Sequence, residues 1–442
     1  MSAVVDFPIR PEARPYLDAF GHRLSGEPEW LDARRRRGLT RFAEQGFPSR
    51  RSEAWRYIDL RALEEKPMLP AGAVRTVAGA VIRSQLAEAA FPATAHRLVL
   101  VDGRYAPELS AVEGLPSGVW VGGMGMAIAN RPDLVRSAIE TPLFDTEPPF
   151  GALNAAFFGD GFVLDIAPGV ALDQPIEIVH LASGEAGESF HTRSLVTVGA
   201  GSHASIFETF VGKSSYWRND VVELRLAAGA EFGCVALVEE ATEALHIGEL
   251  LAVLGPASRL TSLVLLLGGR TVRHEATIRS DGPDTHCALH GAFVLSGRQE
   301  ANIVTTIDHA APGGETREIF KGVAAGRAHG AFQGRITVRP GAQKVDAHQL
   351  SRNLVLSPRA AIDTKPELEI YADDVKCSHG AAVGDLDEAA LFYLRARGIG
   401  REEARHLLIE AFVREVVELV EWPPLREHVL SRLARRLAML EE

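Results

Sequence analysis

Cysteine is scarce in this chain of 442 residues, with only Cys234, Cys287 and Cys377 present. Three scattered thiols exclude a disulfide framework and point to a reducing compartment. Basic charge is also short. Lys and Arg total 47 against 58 Asp and Glu, giving a formal net charge of −11, the wrong sign for a general binder of nucleic acid or anionic membranes. Long apolar runs are missing too. The strongest, Leu263 to Leu267, stops at Gly268-Gly269, far short of a membrane span. The start, Met1-Ser-Ala-Val-Val-Asp-Phe-Pro, lacks the basic and apolar segments of a secretory signal, so the cytoplasm is the expected location.

Several catalytic signatures are absent. The chain has no G-x-x-x-x-G-K-[ST], no G-x-S-x-G, no H-E-x-x-H and no C-x-x-C. Nucleotide hydrolysis by this chain is therefore not expected, nor is nucleophile-elbow or zincin chemistry. Gly122-Gly-Met-Gly125 does not fit a dinucleotide fingerprint.

What is present divides into zones. Residues 1–65 read as helical, with Trp30 to Gln45 stopped by Gly46 and Pro48. The run Arg34 to Arg37 reads as a solvated helix face. Residues 66–149 are mixed and rich in proline and glycine. Residues 150–383 change character. Val222-Glu-Leu-Arg-Leu226, Arg335-Ile-Thr-Val-Arg339 and Glu367-Leu-Glu-Ile-Tyr371 alternate apolar with charged, the period of half-buried strands. Turn pairs recur near 199, 229, 256, 283, 312 and 341, at steps of 27 to 30 residues. A sustained period of that size, with strands and no clear helices between them, predicts a β-helix, each coil burying its apolar face on the next. A sandwich would turn every 8–12 residues.

Residues 384–442 switch to the helical period. Asp385 is the expected cap of a first helix, with Glu388 at capping-box spacing and Gly398 at its end. Arg401 to Val420 follows, Pro423-Pro424 breaks the chain, and Leu425 to Leu440 is the last helix. These helices would either cap the open end of the solenoid or present a face to another protein.

Histidine carries most of the chemical interest in the strand zone. His286-Cys287-Ala-Leu-His290 places its histidines on one strand face and its thiol on the other, so a single metal could not easily collect all three. In Cys377-Ser378-His379 the thiol and imidazole share a face, with Val375, Ala381 and Val383. Such a pair suits an iron–sulfur cluster, zinc or copper(I). Two ligands are half of the roughly four a cluster needs. A buried Cys beside a hydrogen-bonded His satisfies the same spacing. A carbohydrate-active β-helix enzyme using Asp281 and Asp284 is a third reading, weakened by the missing signal and the lack of an aromatic-lined row.

Longer stretches carry a resemblance. Arg51-Ser-Glu-Ala-Trp-Arg-Tyr-Ile-Asp-Leu60, Gln343 to Gln349, Arg352-Asn-Leu-Val-Leu-Ser357, Ile362 to Ile370, Asp373-Asp-Val-Lys-Cys-Ser-His-Gly380, Leu391-Phe-Tyr-Leu-Arg-Ala-Arg-Gly398 and the helix Ala404 to Glu418 resemble the SufB/SufD scaffold family of the SUF iron–sulfur cluster assembly system. The SufB branch typically has His-Glu-Ala where this chain has Cys377-Ser-His-Gly-Ala381, so the likeness is to the SufD branch. Ala382, where the family often has threonine, is a small departure.

The resemblance implies a mainly β fold with helical flanks, a right-handed parallel β-helix between N- and C-terminal helical domains. It implies a non-catalytic scaffold that pairs with SufB through the β-helices and holds one SufC ATPase by its C-terminal helices. ATP-driven dimerisation of SufC would shift the scaffold and expose the buried interface. A transient iron–sulfur cluster would form there, with His379 as the better ligand, Cys377 as the second and a SufB cysteine completing the set. Tyr393, Arg395 and Arg397 would help dock SufC, while Phe392, Leu394, Trp55 and Tyr57 are assigned to packing. A reduced flavin is associated with such complexes, and no flavin fingerprint stands in this chain. No tightly bound cofactor is expected on the lone chain, and a homodimer is the expected form if it self-associates. The rival is a self-contained metal-binding or redox protein using Cys377 and His379.

Overall fold

The computed structural model describes residues 9–21, 27–71, 79–183 and 187–440. Among them the chain forms two ten-stranded sheets that face each other across one lumen. Consecutive strands alternate between the sheets, so each coil places one strand in each. Eight coils run from Phe162–Ile166 to Lys376–Gly384, and every strand pair between neighbouring coils is parallel. The register steps by 26 residues at its shortest, Leu245 opposite Thr271, and by 32 at its longest, Ala361 opposite His329. This is the parallel β-helix that the turn spacing predicts.

The lumen is filled by stacked side chains. In the first sheet Leu164, Val196, Leu224, Ala252, Ile278, Ile307, Ile336 and Leu368 sit directly above one another. Their alternation with outward residues is the period-two pattern of the sequence. The apolar run Leu263 to Leu267 has its own cause. Val264 and Leu266 fill the lumen, while Leu263, Leu265 and Leu267 lie under the C-terminal helices, so both faces are buried.

One corner of the coil is a column of left-handed residues: Gly169, Gly201, Gly229, Ala257, Asp284, Gly313 and Lys344, all at φ between 54° and 74°. Each donates its N–H to a carbonyl of the next coil, as Gly229 does to Pro256 at 2.8 Å and Ala257 to Pro283 at 2.8 Å. The hydrogen bond holds the corner even where the residue carries a Cβ and a steric cost of about 1–2 kcal/mol.

Helices cover the outer faces. Glu29–Gln45 crosses Pro149–Phe157 at Gly38, where an added Cβ would lie 2.7 Å from the Ala152 carbonyl oxygen. This close approach overturns the solvated reading of Arg34 and Arg35. Both are buried. Arg34 pairs with Glu147, and Arg35 with Glu27 at 2.8 Å and with the carbonyl of Phe158 at 2.8 Å. Packing of the helix drags these two guanidinium groups under cover, and carboxylates from other segments meet them. Tyr16, Phe42, Phe47, Trp55 and Phe150 then pack on Trp217, Leu245 and Ile247 of the first sheet. The first end of the solenoid is covered, because Val119–Gly123 and Arg104–Tyr105 add antiparallel strands there and Tyr105, Val112, Leu115 and Val119 pack on the lumenal core.

At the other end Glu388–Arg395, Arg401–Val417 and Pro423–Leu437 do not cap the solenoid. Arg401–Val417 and Pro423–Leu437 lie along the outer face of the second sheet through Ile409, Val413, Val429 and Leu433. Lys321, 2% exposed, donates to the Phe412 carbonyl at 2.7 Å and pairs with Glu415. The first of these helices is capped by Asp387, not Asp385. The Asp387 carboxylate accepts from the N–H of Ala389 and Ala390, whereas Asp385 bonds the N–H of Leu386 ahead of the helix. Pro423 and Pro424 open the last helix, where a missing N–H costs nothing.

Inside the early coils sits a charged cluster. Arg218 and Glu240 pair at 2.6 Å, both 0% exposed. His246 meets Asp220 at 3.0 Å through Nε2 and Glu240 at 3.1 Å through Nδ1, and a carboxylate at each ring nitrogen favours the imidazolium. Burial alone would lower its pKa, but the two carboxylates outweigh burial and raise it to about 9.

Two outcomes are expected. Gly229→Ala, whose new Cβ would make only ordinary contact with the Gly201 backbone at 3.9 Å but has a φ of 64°, lowers stability by about 1 kcal/mol, while Ala257→Gly at the equivalent corner does not; urea unfolding of the three proteins measures this. The second concerns pH. An unfolded histidine titrates near 6.5, so the charge of His246 stabilises the fold fully below that pH and ceases to do so as pH rises through about 9. The melting temperature of the native chain should therefore fall between those pH values more steeply than that of His246→Gln.

Candidate functional site

The last coil is built from Ala361–Ile370 and Lys376–Gly384. Each is hydrogen-bonded to one neighbour, and among the described residues no strand pairs with its other edge. Ile370, Tyr371 and Val383 stand 42%, 61% and 46% exposed there. An uncovered parallel edge of nine or ten residues is a template for another chain.

Cys377 and His379 lie on the lumenal face of this coil. Cys377 ends the column Phe232, Leu260, Cys287, Thr316, Ala347. His379 ends the neighbouring column Leu289, Glu318, Gln349. The two side chains are about 6.6 Å apart along the strand. Cys377 is half-buried and its thiol is pushed above the ordinary range by that burial, with Asp346 adding to it. His379 is exposed at the mouth. Lys376 and Ser378 face outward, where Ser378 meets His348 Nδ1 at 2.5 Å and His348 Nε2 meets Asp346 at 3.0 Å. Among the described residues no three His, Cys, Asp or Glu side chains come together in a group able to hold a metal ion. Cys287 points into the lumen and His286 and His290 point out, as strand alternation requires, and the three do not converge.

Beneath His379 lies a polar pair that the motif reading missed. Gln349, 2% exposed, donates from Nε2 to Glu318 Oε2 at 2.5 Å, and burial pushes the Glu318 carboxyl up to about 7. The coil period was the signal for both. One step back from His379 falls on Gln349 and a second on Glu318.

Tyr393, Arg395 and Arg397 lie apart from this pair, on and just after the short helix Glu388–Arg395. Arg397 stacks its guanidinium 3.3 Å from the centre of the Tyr393 ring. Phe392 contradicts its assignment to packing, being 73% exposed. The helix buries Leu391, and Phe392 turns outward beside Tyr393, itself 56% exposed. Trp55 does pack, its ring 5.2 Å from Phe150 and covered by the Arg273 guanidinium at 4.0 Å.

The β-helix thus leaves Cys377 and His379 in the mouth of its last, unpaired coil. Comparison with known proteins gives the family. Residues 180–412 match the family described as SUF system FeS cluster assembly, SufBD core domain, and residues 23–178 match the SufBD protein N-terminal region. The chain belongs to the SufBD family of iron–sulfur cluster assembly proteins. It is similar to the iron–sulfur cluster assembly protein SufD of Escherichia coli, at 28% identity over 97% of this chain and 98% of that protein. It is also 31% identical to an iron–sulfur cluster assembly SufBD family protein of Synechocystis, over 85% of this chain and 84% of the relative. A SufD of Bacillus subtilis matches at 28% over 65% of this chain and 66% of its own length. No helix among the described residues is long and apolar enough to cross a membrane.

The thiols differ in access, which can be measured. Cys287 is buried with its thiol pushed up, Cys234 is pushed up to about 12 by burial, and Cys377 stands at the mouth. Alkylation of the native chain followed by peptide mass spectrometry should label Cys377 first, and Cys287 only on unfolding.

Proposed function

We propose that the chain is a non-catalytic scaffold subunit of the SUF system that pairs with SufB and binds the SufC ATPase. The observation that carries this reading is the open last coil. A second β-helix set end to end against Ala361–Ile370 and Lys376–Gly384 would continue both ladders and satisfy their free edges. Docking would also cover the mouth, so a cluster formed there is shielded from water.

The nascent iron–sulfur cluster is the cargo of this scaffold. His379 is its principal ligand from this chain and Cys377 the second, and a cysteine of SufB supplies what they lack. That the described residues gather no group of three or more such donors favours this shared site over a self-contained metal or redox centre. Phe392 and Tyr393 form an exposed aromatic surface, and with Arg395 and Arg397 they are the docking point for SufC. ATP hydrolysis belongs to SufC, and its dimerisation pulls on the C-terminal helices to open the interface. Any reduced flavin enters with the assembled complex. Without SufB, the same free edges allow the chain to pair with a second copy of itself. The complex works in the cytoplasm.

Co-expression of the tagged chain with SufB and SufC from the same genome, followed by anaerobic size-exclusion light scattering, tests this. The expected complex holds this chain, SufB and one SufC per scaffold subunit. His379→Ala should leave that complex intact and lower cluster assembly by about tenfold or more. Phe392→Glu should release SufC and retain SufB. A chain that runs alone in the presence of both partners overturns the reading.

A further inference from the structure

The buried amide beneath the site is incompletely bonded. Gln349 spends its Nε2 on Glu318, and its Oε1 is buried with no hydrogen-bond partner. The side chain reaches across the lumen, where only glycine fits opposite it, because a Cβ at Gly334 would collide with the Gln349 amide. Its orientation is therefore set from two sides, by Glu318 and by the Gly334 backbone. Gln349 lies one coil below His379, in the same lumenal column. A buried acceptor left open is costly, and such groups collect where a partner is still to arrive.

We propose that Gln349 is a positioning residue for His379, its Oε1 being the acceptor that takes one imidazole N–H when the mouth is covered. The hydrogen bond selects the tautomer and leaves the other ring nitrogen free for iron. Gln349 touches no iron itself. Glu318 is the brace that keeps the amide from turning over, since a flipped amide would point its N–H groups at a ring that must donate. Metal-binding histidines are commonly held by such an acceptor behind the ring. This inference rests on the reading of His379 as a ligand.

The test uses the complete complex with SufB and SufC, loaded anaerobically with ferrous iron and sulfide. Pulsed electron paramagnetic resonance of the reduced cluster reads the coupling to a histidine nitrogen. Gln349→Met keeps length and volume but replaces the amide oxygen with a thioether, a far weaker acceptor. The exchanged pair, Glu318→Gln with Gln349→Glu, keeps the internal hydrogen bond with its roles reversed and keeps an oxygen beneath His379. Thermal unfolding confirms that each variant folds.

Gln349→Met is expected to lose the single ordered nitrogen coupling and to weaken ferrous iron binding by about tenfold or more, and the exchanged pair to retain both. A native coupling in Gln349→Met overturns the proposal, as does its loss in both the Met variant and a folded exchanged pair. If Gln349→Met fails to fold, loss of the coupling in a folded exchanged pair still overturns the proposal. His379→Ala separates the two levels. If it abolishes the coupling while Gln349→Met leaves it native, only the positioning role fails. If His379→Ala leaves the coupling native, the ligand reading falls and this inference falls with it.

Discussion

The parallel backbone ladder is the constraint from which the rest of the molecule follows. A β-helix pairs each coil with the one before and the one after, so every interior strand has its donors and acceptors satisfied and only the two ends are left over. The chain treats those ends differently. Antiparallel strands at Val119–Gly123 and Arg104–Tyr105 finish the first. Nothing among the described residues pairs with the free edge of Ala361–Ile370 or Lys376–Gly384. The helices that could have covered the second end lie along the side of the solenoid instead. An unpaired parallel edge is the kind of surface to which a further strand can add.

The same stacking places the chemistry. In a solenoid a residue's neighbours are one coil away in sequence, so a side chain at the mouth rests on a column of its equivalents. Under Cys377 that column is small or apolar. Under His379 it turns polar, with Gln349 and Glu318 where earlier coils have Leu289 and Ser262. Buried polar groups need a partner or a purpose. The Arg218, Glu240, Asp220 and His246 cluster shows the first case, with charges of both signs meeting in the early lumen. The Gln349 oxygen, in the role proposed for it, is the second.

Much of this was legible in the residues. The turn pairs from 199 to 341 and the alternation in Val222 to Leu226 report backbone geometry, which is local and repeats, so the β-helix could be read without coordinates. The shared face of Cys377 and His379 follows from the same alternation. Other features were not legible because they depend on what lies across the contact. Arg34 and Arg35 look like a solvated run until Gly38 lets their helix press against Pro149–Phe157, Glu147 meets Arg34 and Glu27 meets Arg35. Phe392 looks like core because its composition is apolar, yet its helix spends Leu391 on packing and leaves the ring outside. The cap at Asp387 in place of Asp385 turns on two residues of register, which capping chemistry alone does not resolve.

By itself, then, the sequence determined the period of the coil, the faces of its strands and the pairing of a thiol with an imidazole, because each follows from the two-residue alternation of a strand and the turn chemistry at its ends. The tertiary structure decided which end of the solenoid stays open, where the terminal helices lie and which buried amide sits beneath His379. Those outcomes come from contacts between segments far apart in the chain, such as Lys321 with Phe412, whose geometry no local pattern specifies.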